Sequence, residues 1–233
     1  SNIPSFQDIG FRTNPDGYDF DNYGGFFPFG DYDYQYDSLI EMFGQDNVCW
    51  MGGSVCFVKP AADIWHFSAN RSMNDGHCYG MAGTSSRFFN GTDDPANFQT
   101  GADDTHDLAK SNSRENIAYH FVLQFTEPIA TQICQIRQDS LSSIVNDLYT
   151  MSDPPIVFIY RQDMGSGHAI TPYAIEDQGN GTVRIFVYDN SHKNDNNRYI
   201  TIELNANTWS YDKNETTTWC GDERTDSLGY VPI

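Results

Sequence analysis

The chain is poor in positive charge. Its 13 Lys and Arg stand against 32 Asp and Glu, a net charge of −19. Such a surface repels phosphate backbones and anionic lipid, which argues against nucleic acid or a membrane surface as partner. No stretch approaches the roughly 18 apolar residues of a membrane span. Nothing matches CxxC or HExxH, so no metal site is expected, and a zinc site built from His77, Cys78 and His168 is set aside. There is no internal repeat. No signal-peptide pattern opens the chain, and Ser1-Asn2 reads as an expression scar left by removing one. The acidic surface suits an extracellular or cell-surface setting.

Cysteine is scarce and odd in number: Cys49, Cys56, Cys78, Cys134 and Cys220. At least one is therefore free unless it pairs between chains. Cys49 and Cys56 flank WMGGSV, whose Gly-Gly turn could close a short hairpin, and they are the expected disulfide. Whether Cys134 and Cys220 pair is left open.

What is present suffices for a core: 233 residues, 39% hydrophobic and 15% aromatic, with one large domain favoured over two. Residues 1–60 read as an irregular aromatic and acidic extension packed on a main domain spanning 61–233. Within that extension Asp16, Asp19, Asp21 and Asn22 supply closely spaced oxygens, a possible calcium loop, although the spacing is not that of an EF-hand. CYGMAGTSSRFF predicts a helix over 78–89 with Met81, Ala82, Ser85, Phe88 and Phe89 on one face, ended by Asn90-Gly91. Residues 92–110 read as a polar surface loop. RENIAYHFVLQF and the stretch from Pro128 to Met151 read as helices, the second with a break near Asp139-Ser140. After Pro154-Pro155 the pattern becomes that of strands: IVFIY, HAITPYAIED, TVRIFVYDN and RYITIEL, separated by Gly- and Asn-rich turns. Helices first and strands second make an α+β chain with segregated layers.

Three placements carry chemistry. Cys78 opens a helix, where unpaired N–H groups and the helix dipole favour thiolate over thiol. His168 begins a strand after Gly-Ser-Gly, and an imidazole facing the sulfur can form a thiolate–imidazolium pair and later protonate a leaving group. Asp189-Asn190 end the next strand, and either could orient the ring. Adjacent strand residues point to opposite faces, so one of the two is expected to face His168, with Asp189 favoured. The Cys78 N–H could help bind an oxyanion.

GHCYGMA resembles the cysteine-bearing helix start of papain-like cysteine peptidases, GSGHAITPYAI their histidine strand, and VYDNS the strand that follows. The order Cys, His, Asn/Asp is that superfamily's, and the resemblance covers roughly residues 65–211. It evokes bacterial secreted or cell-surface members. It implies a papain-like fold, with a helical half carrying the cysteine helix packed on an antiparallel β half. It also implies Cys78 as nucleophile, His168 as general acid/base, and Asp189 or Asn190 as third member. Where the family commonly has an oxyanion glutamine, six residues before the cysteine, this chain has Ser72; Asn74 or Asn70 could substitute.

The other histidines read otherwise: His77 as a cleft-wall or turn residue, His66 as packed, His106 as solvated, His120 as a satisfied core or face residue, and His192 as a loop residue less suited than His168. The resulting expectation is a secreted, monomeric thiol hydrolase without cofactor, acting on peptide or protein substrates through an acyl-enzyme. The alternatives are a cell-wall amidase or acyl transferase on the same triad, or a catalytically weak extracellular binding or adhesion module.

Overall fold

A computed structural model describes residues 5–24, 33–136, 140–161, 166–214, 216–222 and 226–233. Asp139 and Gly165, on which a helix break and part of a turn were expected, lie outside the described residues, as do residues 25–32 of the N-terminal segment. The chain is α+β. In order come β1 (Phe6–Asp8), α1 (Thr13–Asp16), α2 (Tyr36–Phe43), α3 (Gln45–Val48), β2 (Cys49–Gly52), β3 (Val55–Val58), α4 (Pro60–Ser72), α5 (Cys78–Phe89), α6 (Lys110–Leu123), α7 (Ile129–Ile136) and α8 (Leu141–Thr150). The strands β4 (Ile156–Arg161), β5 (Ser166–Gly179), β6 (Thr182–Tyr188), β7 (Tyr199–Glu203), β8 (Thr208–Asn214), β9 (Thr217–Asp222) and β10 (Asp226–Val231) follow. None of the described helices is long and apolar enough to cross a membrane.

Among the described residues the large sheet runs β10-β4-β5-β6-β7-β8-β9, with β1 added to β5. All pairings are antiparallel. The long strand β5 is shared along one edge: Ser166–Ile170 pair with β4, and Ala174–Glu176 pair with β1. Alternation drives the packing. In β6, Val183, Ile185 and Val187 are buried while Thr182, Arg184 and Phe186 are only partly covered. Those valines and isoleucines meet Leu141, Ile144, Val145 and Leu148 of α8, each contributing about 1.5–3 kcal/mol on full burial. Ser140 starts α8 by accepting the Ser143 N–H at 3.2 Å, a side-chain N-cap.

Helix α5 is buried on almost every side rather than on one face. Its small residues permit this: a Cβ at Gly80 would lie 2.0 Å from the Ile117 carbonyl oxygen of α6. Thr84, Ser85 and Ser86 satisfy their hydroxyls on the carbonyls of Gly80, Met81 and Ala82 one turn back.

The first sixty residues depart from an irregular extension. Their described part contributes β1, three short helices and the β2–β3 hairpin, and seats Phe11, Tyr18, Tyr34, Leu39 and Val48 in the core. Cys49 and Cys56 form the expected disulfide across that hairpin. Cys78, Cys134 and Cys220 are free. The 92–110 segment is also less polar than expected, since Pro95–Asn97 form a 3-10 turn and Ala102 and Leu108 are buried.

Candidate active site

Helix α5 begins at Cys78 because the chain before it is held by the N-terminal segment. Gly76 has φ +142°, and a Cβ there would meet the Asn22 side chain at 2.5 Å, so only glycine fits without strain. The next N–H, of His77, donates to Asn22 Oδ1 at 2.7 Å. The His77 ring is fully buried and stacks on Tyr23, ring centroids 4.3 Å apart. Its Nδ1 donates to the Tyr23 carbonyl at 2.6 Å, and Nε2 lies 3.2 Å from Asp33, off the hydrogen-bonding direction. Asp33 in turn pairs with Arg114 at 3.0 Å. His77 therefore fastens the helix start instead of forming a cleft wall.

Strand β5 brings His168 to Cys78. The two side chains line the same cleft and each shifts the other's ionisation, and His168 is almost fully buried. On the far side of the ring, Nε2 donates to Asp189 Oδ1 at 2.6 Å, which leaves Nδ1 for the sulfur. Burial alone would raise the Cys78 pKa. The neighbouring His168 imidazole, the Ala169 backbone and the Lys213 charge outweigh it and bring the thiol below its ordinary value. Burial alone would lower the His168 pKa. The Asp189 charge and hydrogen bond, together with Cys78, instead push it up to about 9. Both shifts run toward a thiolate beside an imidazolium.

Asp189 and Asn190 divide the work at the end of β6, where regular alternation lapses and both are fully buried. Asp189 faces the imidazole. Its Oδ1 also accepts the Ser191 N–H at 2.8 Å, and its Oδ2 accepts from the Tyr211 hydroxyl and from His192 Nδ1 at 3.0 Å. Arg198 Nε lies 3.4 Å from Oδ2. Burial opposes ionisation, but these donors, His168 first, hold the carboxyl far below the usual carboxylate range. Asn190 turns away from the ring. Its Nδ2 donates to the Cys78 carbonyl at 3.0 Å and the Ala169 carbonyl at 2.9 Å, and its own carbonyl accepts the Asn22 N–H at 2.6 Å. It joins the cysteine helix to the histidine strand.

The sulfur and imidazole sit on a cleft of about 680 Å³. Phe121, Phe125, Ile133 and Phe158 give it apolar walls, and Cys134 opens onto it. Ser72, Asp75 and Gly76 line the side nearest the start of α5. Asn74 is not among the lining residues; its N–H donates to the Arg71 carbonyl at 3.2 Å and its own carbonyl backs onto Gly24. Asn70 is buried, with its amide on the Tyr34 and His66 carbonyls. Ser72, which does line the cleft, donates its hydroxyl to Ala69 O at 2.7 Å.

Other candidates lie elsewhere. Asp16 accepts from the Arg12 N–H, Asp19 pairs with Lys193, Asp21 accepts the Lys193 N–H, and Asn22 serves His77. Among the described residues no group of three His, Cys, Asp or Glu is assembled for a metal. His66 is packed against Tyr36, and burial lowers His120 to about 4. His106 is half-buried on the Gly17 carbonyl rather than solvated. Arg198 and Tyr211 had no place in the sequence reading of the site, and His192 was set aside there as a loop residue less suited than His168. Only the alternation of Trp209 and Tyr211, which puts both on one strand face, pointed inward.

Searches of family models, curated proteins and solved structures return no match for this chain.

Proposed function

We propose that the chain is a thiol hydrolase of papain-like type, a cysteine peptidase acting outside the cell on peptide or protein substrates. The observation that carries this reading is the single ring of His168, shared between the Cys78 sulfur and the Asp189 carboxylate. A structural cysteine needs neither an ionised neighbour nor a position at a helix start opening onto a cleft. The Cys49–Cys56 disulfide supports an oxidising compartment.

In this reading the Cys78 thiolate attacks the substrate carbonyl carbon and forms a C–S bond. The oxygen takes up negative charge near the first-turn N–H groups of α5, the Cys78 N–H among them. As the C–N bond breaks, His168 Nδ1 gives its proton to the departing amine, leaving a thioester. His168 then takes a proton from water, which attacks the thioester. The C–S bond breaks, the carboxylic acid leaves, and the thiolate is restored. Asp189 stays ionised throughout and holds the ring.

The test is incubation with a denatured protein substrate, followed by mass spectrometry of fragments and enzyme. Cleavage that disappears in Cys78→Ala, with an acyl adduct on Cys78 in the wild type, is the expected result. Cleavage unaffected by Cys78→Ala overturns the reading.

A further inference from the structure

We propose that Arg198 and Tyr211 are positioning residues that hold the Asp189 carboxylate in line with His168 and balance the charge of the buried cluster. This rests on the thiol-hydrolase reading above. Tyr211 donates its hydroxyl to Asp189 Oδ2, and that same hydroxyl accepts from Arg198 Nε at 2.9 Å. The guanidinium also lies 5.2 Å from the Tyr211 ring centroid, and its Nη2 is anchored on the Asp212 and Lys213 carbonyls of β8. Neither residue is on the strands that carry His168 and Asp189. Both belong to the β7–β8 side of the sheet, and they meet the carboxylate at Oδ2, the oxygen the imidazole does not use.

The arrangement alternates in sign: Arg198 positive, Asp189 negative, His168 positive, Cys78 negative. Four charges at low exposure sum to zero. Without Arg198 the set carries a net negative charge, and the least costly relief is protonation of the sulfur. Without the Tyr211 hydroxyl, Oδ2 loses a donor and the carboxylate is freer to rotate from His168 Nε2. The remaining groups facing this cluster are His192 on Oδ2, Tyr188 beside Asp189, Asp195 at 3.8 Å from Arg198 Nη1, and Lys213 toward Cys78. His192 and Asp195 are the more exposed of these, so solvent screens them more than the guanidinium.

The experiment is the pH profile of Cys78 alkylation by iodoacetamide, read by peptide mass spectrometry, in wild type, Tyr211→Phe, Arg198→Met and Arg198→Lys. It needs no substrate. In wild type, Cys78 should label faster than Cys134 and Cys220 at pH 6. In Tyr211→Phe and Arg198→Met the apparent pKa of the Cys78 profile should rise by about one unit, slowing labelling by up to about tenfold on the acid side of that profile. Arg198→Lys, which keeps the charge, should recover most of that rate. If Arg198→Met does not fold, Tyr211→Phe and Arg198→Lys still decide, because each retains the size of the side chain it replaces. An activated wild type whose profile is unchanged in Tyr211→Phe and in Arg198→Met (or, in an unfolded Arg198→Met's absence, in Tyr211→Phe alone) overturns the positioning role and leaves the hydrolase reading intact. A wild type in which Cys78 labels no faster than Cys134 overturns the hydrolase reading, and the inference with it.

Discussion

His168 Nε2 lies 2.6 Å from Asp189 Oδ1, and both groups are buried while the other side of the ring meets Cys78. A carboxylate at that distance, with its charge not screened by water, keeps the imidazole protonated and in one orientation. The Asp189 carboxylate therefore bears on the ionisation of the sulfur through the His168 ring.

Replacement of the carboxylate by an amide tests that dependence. Asp189→Asn keeps the shape and removes the charge. Turnover of a cleaved peptide should fall by about 10²–10⁴-fold, the range of a lost general acid/base function. Measured kcat/KM alongside His168→Ala should show two variants similarly impaired, and a double variant no worse than the weaker single one.

The raised His168 pKa sets an alkaline limit. The imidazolium is needed to protonate the leaving amine, so kcat/KM should decline as pH rises through about 9. Stability follows the same sign. The folded pKa lies above the unfolded value of roughly 6.5, so this group's contribution is fully present below 6.5 and is lost as pH climbs through 9. Denaturant midpoints at pH 6 and pH 9.5 check it, with the lower pH expected to be more stable by this group's share.

Gly80 tests the close contact of α5 and α6. A Cβ there would meet the Ile117 carbonyl at 2.0 Å, a backbone atom that cannot rotate aside. Gly80→Ala should cost about 1–3 kcal/mol from overpacking, read as a lower thermal midpoint. Its shift of the helix start should also slow Cys78 labelling.

The disulfide should act on stability alone. Cys49 and Cys56 clip a hairpin that contributes nothing to the cleft lining. Replacing both by serine should cost about 2–3 kcal/mol in the chain-entropy account of a short loop. The rate of Cys78 labelling should be unchanged, as measured at a temperature where both proteins are folded.

Much of the architecture was written in local patterns. α5, α6 and strands β4 to β7 follow from helical spacing, β-branched runs and Asn/Gly turns, and the hairpin from a Gly-Gly flanked by cysteines. β8 and β9 escaped because their exposed positions are polar: WSYDKN and TTTWCG alternate around Trp209, Tyr211 and Trp219, with few aliphatic residues to mark a strand. Helix α4 was also missed, since PAADIWHFSANRS places its apolar residues on no single clean stripe. Within the site, Cys78, His168 and Asp189 were legible because each sits at an element boundary where its chemistry is locally motivated. Arg198 and Tyr211 were not. An arginine after an Asn-rich turn reads as solvated, and only the register of β7 on β8 brings it to Tyr211. Asn22 acts at 55 residues' remove from His77, and no local pattern marks such a contact.

The most direct measurement is the ultraviolet thiolate absorbance of the folded protein, titrated with pH and taken as the difference between wild type and Cys78→Ala. A thiolate signal that titrates below the ordinary cysteine range near 8.5 is the predicted result. A difference signal that appears only as the pH passes about 8.5 would contradict an ion pair between Cys78 and His168.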